Sequence, residues 1–209
     1  RAVVVAWDTL FVPTYRNALL ETYQSGRAFD PEIVAQLTLL PALVSATGIA
    51  CAKHDGYEAD DFLAAAVAAE RVRGGTTLVA TSDRDAFQLA AADVTILQPV
   101  RGVSELARIG PMEVRERYGV DPSQVCDFIA LRGDPSDKIP GARGVGEKTA
   151  ASLLQTYPDL EAMIAAGRFE AEAAQLRTFR RIATLDPSAP LPDLPDREPD
   201  WAAGARAAE

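Results

Sequence analysis

Residues 131–150 read LRGDPSDKIPGARGVGEKTA. Glycine and proline are the strongest local punctuation in a chain. Here they end one helix before Gly133 and allow another from Glu147, with a short helical turn at Ser136–Ile139 between them. Gly141, Gly144 and Gly146 let a backbone come close to an anion, and the N–H groups of the following helix start favour negative charge. Arg143 and Lys148 add positive charge, with Thr149 beside them. Such an element holds a nucleic-acid backbone without reading bases; the alternative is an ordinary glycine-capped turn.

Upstream of this hairpin the chain alternates. Ala2–Trp7 (AVVVAW) reads as a buried parallel strand ending at Asp8. Pro31–Thr47 has helical spacing, Ile49–Lys53 is a short strand, and about Tyr57 to Val72 is a helix closed by Gly74-Gly75. Thr76–Thr81 is a strand, Arg84–Ala91 is helical and Val94–Leu97 is a further strand. Strands alternating with helices predict an α/β fold with a mainly parallel central sheet flanked by helices. From about Gly110 only helices follow: Pro111–Tyr118, Pro122–Leu131, Glu147–Thr156 and Phe169–Leu185. The expected organisation is therefore an α/β core at 1–110, an all-helical module at 111–185 and an extended Pro- and Asp-rich segment at 186–209.

Composition narrows the chemistry. The 209 residues carry a formal charge of −9 and a single histidine, His54. That balance argues against a protein that merely coats nucleic acid, since phosphate binding relies on Lys and Arg. One histidine leaves little room for a Ser-His-Asp triad or a zinc site. Cys51 and Cys126 are expected as reduced, buried thiols, and no apolar run is long enough to cross a bilayer.

The acids are not scattered evenly. Asp8 closes the first strand, Glu58, Asp60 and Asp61 follow the second, and Asp83 and Asp85 follow the third, all at the sheet edge where α/β proteins bind ligands. Two carboxylates about 5 Å apart repel by roughly 3 kcal/mol at an effective dielectric near 20. Either these acids are splayed into solvent or a cation holds them. An all-oxygen donor set suits Mg²⁺ or Mn²⁺, and a pair of such ions can activate water and clamp a phosphodiester.

The segments VVVAWD, YEADDFLA, TSDRDAFQL and LRGDPSDKIPGARGVGEKTAASLL, in this order, resemble the bacterial 5′-nuclease (flap endonuclease) family, which includes the 5′→3′ exonuclease domain of DNA polymerase I. The resemblance implies a PIN-like nuclease core followed by a helix-hairpin-helix module. The implied substrates are DNA with 5′ flaps or 5′ ends, with RNA primers as further substrates, acted on by a monomer in the bacterial cytoplasm at the nucleoid. It implies two or more Mg²⁺ or Mn²⁺ ions on Asp8, Glu58, Asp60, Asp61, Asp83, Asp85, Asp134 and Asp137, and K⁺ at the hairpin. Phe11–Pro31 falls where relatives place a helical arch, so Arg16 and Arg27 are expected at the scissile or nearby phosphates. The resemblance extends the DNA contacts to Gln24, Lys138, Gly141, Arg143, Gly144, Gly146, Lys148 and Thr149.

Three departures stand out. The family begins with a strand carrying Asp-Gly ahead of the one that opens this chain, so a truncated chain lacking one ligating Asp is expected. Gln24 follows the arch tyrosine where relatives usually have Lys, and Lys138 stands where Asn is usual. With no polymerase motif after it, a free-standing nuclease is expected. The alternatives are a PIN-type ribonuclease and a catalytically impaired DNA-junction-binding module.

Overall fold

Backbone pairing follows the alternation. In the computed structural model, which describes residues 2–207, β1 (Val4–Ala6) pairs in parallel with β2 (Ala50–Ala52). β3 (Thr77–Ala80) pairs in parallel with β4 (Val94–Arg101). The parallel ladders are distributed over two small sheets, β1-β2 and β3-β4-β5, rather than one. β5 (Glu105–Ile109) is an antiparallel return of β4 that the sequence did not announce. Its ELARI lacks β-branched residues before Ile109, and the turn that makes the hairpin rests on Gly102 at φ +58°.

The helices are α1 (Tyr15–Leu19), α2 (Pro31–Ala46) and α3 (Ala59–Val72), then α4 (Pro111–Tyr118), α5 (Val125–Arg132) and α6 (Glu147–Thr156). After them come α7 (Leu160–Ala165), α8 (Ala173–Ala183) and α9 (Trp201–Arg206). In the expected arch region only α1 is helical before α2, because Gly26 and a run of turns occupy the rest. Arg84–Ala91 tightens to a 3₁₀ turn at Asp85–Leu89.

By packing, the chain forms two compact units that cut across the sequence's change of texture. One comprises residues 1–15, 26–66 and 186–209. Its core is Ala52, Phe62, Ala65 and Ala189, with Val4, Ala6, Tyr57 and Leu191 against it. The proline-rich segment has neither helix nor strand over 190–200, yet it packs onto this unit: Ala189 is buried, and Asp200 N donates to Thr47 O at 2.8 Å. Arg197 donates twice to the Gly48 carbonyl, at 3.0 and 2.8 Å. α9 then closes on α2 where Gly204 leaves room for Thr47.

The other unit comprises residues 16–25 and 67–185. Phe128, Ile129 and Leu131 of α5 are fully buried, as are Leu176 and Phe179 of α8, which packs along α5. Each such side chain contributes about 1.5–3 kcal/mol on leaving water. Asp127 is buried in this interface at 5% exposure. Its Oδ2 accepts from Leu160 N at 3.1 Å, while Oδ1 has no hydrogen-bond partner and lies 3.7 Å from the Arg180 guanidinium. Burial raises its pKa, outweighing the Leu160 amide and Arg180, with Asp159 and Glu161 adding repulsion. A carboxyl with a raised folded-state pKa stabilises below its unfolded pKa, and that contribution is lost as pH rises through the folded one. Asp127→Asn should therefore raise the melting temperature at pH 7 by a few degrees, equivalent to about 1 kcal/mol in a chain of this size. The gain should shrink in melts repeated down to pH 4.

Candidate metal and nucleic-acid site

The acids at the head of α3 have structural tasks. Asp8 Oδ1 accepts from Ala59 N at 2.8 Å, capping the helix from another strand end. Asp61, with 0% exposure, accepts from Glu58 N at 3.0 Å and from Asp186 N at 2.8 Å. Asp61, expected as an ion ligand, has each carboxylate oxygen on a backbone amide and ties Asp186 to the helix start. Thr14 Oγ1 donates to Glu58 Oε1 at 3.3 Å, and Glu58 and Asp60 remain half-buried.

In the second unit, Asp83 is exposed beyond β3, and its Oδ1 accepts from Asp85 N at 3.0 Å. Asp134 and Asp137 lie in one turn, closed by a two-way backbone bridge between Asp134 and Ile139 with both bonds at 2.8 Å. The bridge replaces the helical turn expected at Ser136–Ile139. Asp134 Oδ1 accepts from Ser136 N at 2.8 Å, and Oδ2 lies 3.4 Å from Arg132 Nη2.

Arg132 was not singled out in the sequence. Its guanidinium lies over the Phe128 and Tyr118 rings, 5.1 and 5.6 Å from their centroids, which holds it beside Asp134. The only signal was an arginine directly before Gly-Asp with an aromatic four residues earlier, where side chains on a helix meet. The same environment holds Asp85, whose charge acts on the Tyr118 hydroxyl; burial raises that hydroxyl's pKa.

The hairpin depends on two glycines. Gly133 and Gly141, at φ +79° and +76°, pass so close that a Cβ on either would meet backbone of the other strand within 2.6 Å. Ala142 N donates to Leu131 O at 2.8 Å, pinning the loop onto α5. Beyond it, Gly144 and Gly146 face open space, and Arg143, Lys148 and Thr149 are exposed at the start of α6.

The arch residues divide. Arg27 is exposed, as a phosphate contact requires. Arg16 is buried at 2% exposure, and its Nε donates to the Ile182 carbonyl at 2.9 Å. A cation is favoured at the end of α8, so the expected phosphate contact at Arg16 gives way to a tie within the fold. Gln24 is directed into the 134–139 turn, where Nε2 donates to Asp137 Oδ1 at 2.9 Å.

The donor chemistry fits a hard divalent ion, since all eight candidates are carboxylates. His54 is exposed, and its Nδ1 donates to the Asp55 carbonyl at 2.7 Å. Cys126 is a free thiol pushed up to about 11 by burial, unsuited to soft-metal binding or nucleophilic work. Among the described residues, no three His, Cys, Asp or Glu side chains stand close enough to hold an ion together. Backbone amides at Asp8, Asp61, Asp83 and Asp134 each take an oxygen that a closed cluster would use.

Carboxylates beyond parallel strands and an open glycine hairpin between two helices are the features to set beside known proteins. Residues 1–119 match the family profile described as 5′-3′ exonuclease, N-terminal resolvase-like domain, and residues 120–200 match 5′-3′ exonuclease, C-terminal SAM fold. The chain belongs to the 5′-3′ exonuclease family. It is 38% identical over 193 residues to DNA polymerase I of Mycobacterium tuberculosis, covering 88% of this chain and 21% of that protein. It is 43% identical over 160 residues to DNA polymerase I of Deinococcus radiodurans, covering 76% of this chain and 16% of that protein. The chain thus spans about a fifth of the length of the relatives it matches. The bacteriophage T5 5′-exonuclease structure with bound zinc aligns at TM-score 0.74 and 18% identity, over 89% of this chain and 75% of that one, which shows the shared fold.

Proposed function

We propose that this chain is a structure-specific 5′ nuclease that hydrolyses phosphodiester bonds in branched or 5′-ended DNA with Mg²⁺ or Mn²⁺. The observation that carries the reading is the continuity of residues 131–150. One element presents Asp134 and Asp137 and then, a few residues on, the open glycines and cations of a phosphate grip.

Asp83, Asp85, Asp134 and Asp137 would hold divalent ions, with Asp8, Glu58 and Asp60 as the corresponding carboxylates of the first unit. Bound ions supply activated water and offset the charge that develops on the phosphate. The chain itself supplies the rest. Arg143 and Lys148 with the α6 N-terminus hold the duplex backbone, and Arg27 meets a phosphate of the single strand. Further parts of the reading are K⁺ at the hairpin carbonyls, RNA primers as additional substrates, and a monomer acting at the nucleoid. Among the described residues, no helix is long and apolar enough to cross a membrane.

Purified protein should cut a 5′-flap duplex with Mn²⁺, cease with EDTA, and leave single-stranded RNA intact. Cutting of RNA alone would contradict the reading. A second reading, a junction binder with impaired catalysis, is favoured by the lack of three gathered donors among the described residues. It predicts tight flap binding with no product. Arg143→Ala should weaken flap binding by a similar factor across sequences and reduce the salt slope by about 0.9. Fluorescence anisotropy at several salt concentrations checks this, and a changed sequence preference would count against a phosphate contact.

A further inference from the structure

Two segments 113 positions apart meet in the second unit through four hydrogen bonds. Gln24 Nε2 donates to Asp137 Oδ1 at 2.9 Å, and Gln24 N donates to Asp137 O at 3.3 Å. In return, Lys138 Nζ donates to the Ser25 carbonyl and to Ser25 Oγ, the latter at 3.0 Å. Gln24 Nε2 also donates to the hydroxyl of Tyr23 at 3.0 Å, and the Tyr23 side chain is itself buried at 3% exposure. Both amide hydrogens of Gln24 are therefore committed, and the amide is held in one orientation: only its NH₂ end can face a carboxylate.

The backbone carries the second observation. Among the described residues only Gln24, Lys138 and Phe169 are non-glycine residues at positive φ, at 47°, 58° and 57°. Two of the three lie on opposite sides of this one contact. A non-glycine residue in the left-handed region costs free energy of order 1–3 kcal/mol and persists where its surroundings over-determine it. A plain packing contact between a loop and a turn does not require strain on both sides.

We propose that Gln24 and Lys138 form a latch that positions Asp137 for a divalent ion. The inference rests on the nuclease reading above. Gln24 acts on Asp137 directly, fixing the side-chain torsions by holding Oδ1; Lys138 acts at one remove, holding the 23–25 segment in place. Neither residue touches the ion. Partners that orient a metal-ligating carboxylate in this way are worth about 10–100-fold in metal affinity.

The test is a Mn²⁺ titration without DNA, read by the electron paramagnetic resonance of free Mn²⁺, well below the melting temperature of each protein. Gln24→Leu, similar in size but without the donor, should weaken Mn²⁺ binding about tenfold. Lys138→Met, which leaves the Gln24 amide in place, should weaken it less, in the same direction. A merely structural contact would lower the melting temperature of both variants and leave the Mn²⁺ dissociation constant unmoved. That outcome, or tighter binding by Gln24→Leu, overturns the latch while wild-type binding and flap cleavage keep the nuclease reading. Absence of Mn²⁺ binding by the wild type overturns both.

Discussion

Asp83→Asn will lower flap cleavage by about a thousandfold while leaving the protein folded. The substitution is nearly isosteric, and the Asn oxygen can still accept from Asp85 N, the 3.0 Å bond that shapes the turn after β3. What it removes is a full negative charge on an exposed side chain. A divalent ion contributes several kcal/mol of charge stabilisation to phosphoryl chemistry, and each 1.36 kcal/mol is about tenfold in rate. On the proposed reading, losing one carboxylate that would hold the ion gives up most of that. Binding to a flap at low salt should be retained or improved, because a negative charge near the phosphates is gone. Single-turnover cleavage and anisotropy on the same preparation separate the two effects. Normal cutting by the variant would remove Asp83 from the metal ligands.

The second large effect is on stability. Gly141→Ala would set a Cβ at 2.5 Å from Gly133 N, 2.7 Å from the Arg132 carbonyl carbon and 2.8 Å from Leu131 O. All three are backbone atoms, so no side chain can swing aside. The position also sits at φ +76°, and an L-residue there costs about 1–2 kcal/mol before any clash. Forcing extra atoms into a packed contact costs about 1–3 kcal/mol more. The sum is a large part of a domain's stability of about 5–15 kcal/mol, and a fall in melting temperature of about 10 °C is expected. Gly144→Ala is the control. It shares the left-handed backbone at φ +75° but opens onto free space, so it should lose only the conformational part. Equal losses at the two positions would mean that the close approach of residues 133 and 141 is not what holds the hairpin.

The sequence carried much of this because its strongest signals are local. Pro111–Tyr118 and Glu147–Thr156 begin and end where proline, glycine and helix propensity say they should, and the structure has them at the same residues. Elements that form because of what they pack against, rather than through their own propensity, were not legible. β5 is a strand because β4 offers it an edge, not because ELARI favours one. α9 forms where Asp200 caps it and Gly204 admits Thr47, inside a segment whose prolines read as extended.

The site shows the same division. Spacing marked the acids, but not which of them the backbone would claim. Asp61 looks like its neighbour Asp60 in sequence, and only the arrival of Asp186 from 125 positions away makes it an internal tie. Arg16 looked like a phosphate contact for the same reason; its partner, Ile182, lies 166 residues on.

Whether carboxylates of this chain hold hard divalent ions is tested most directly by Mn²⁺ anomalous diffraction from crystals soaked in manganese. Peaks bounded by the carboxylates of Asp83, Asp85, Asp134 and Asp137, lost when Mn²⁺ is replaced by EDTA, are predicted. Crystals of cleavage-competent protein that show no anomalous peak against any of these side chains would contradict it.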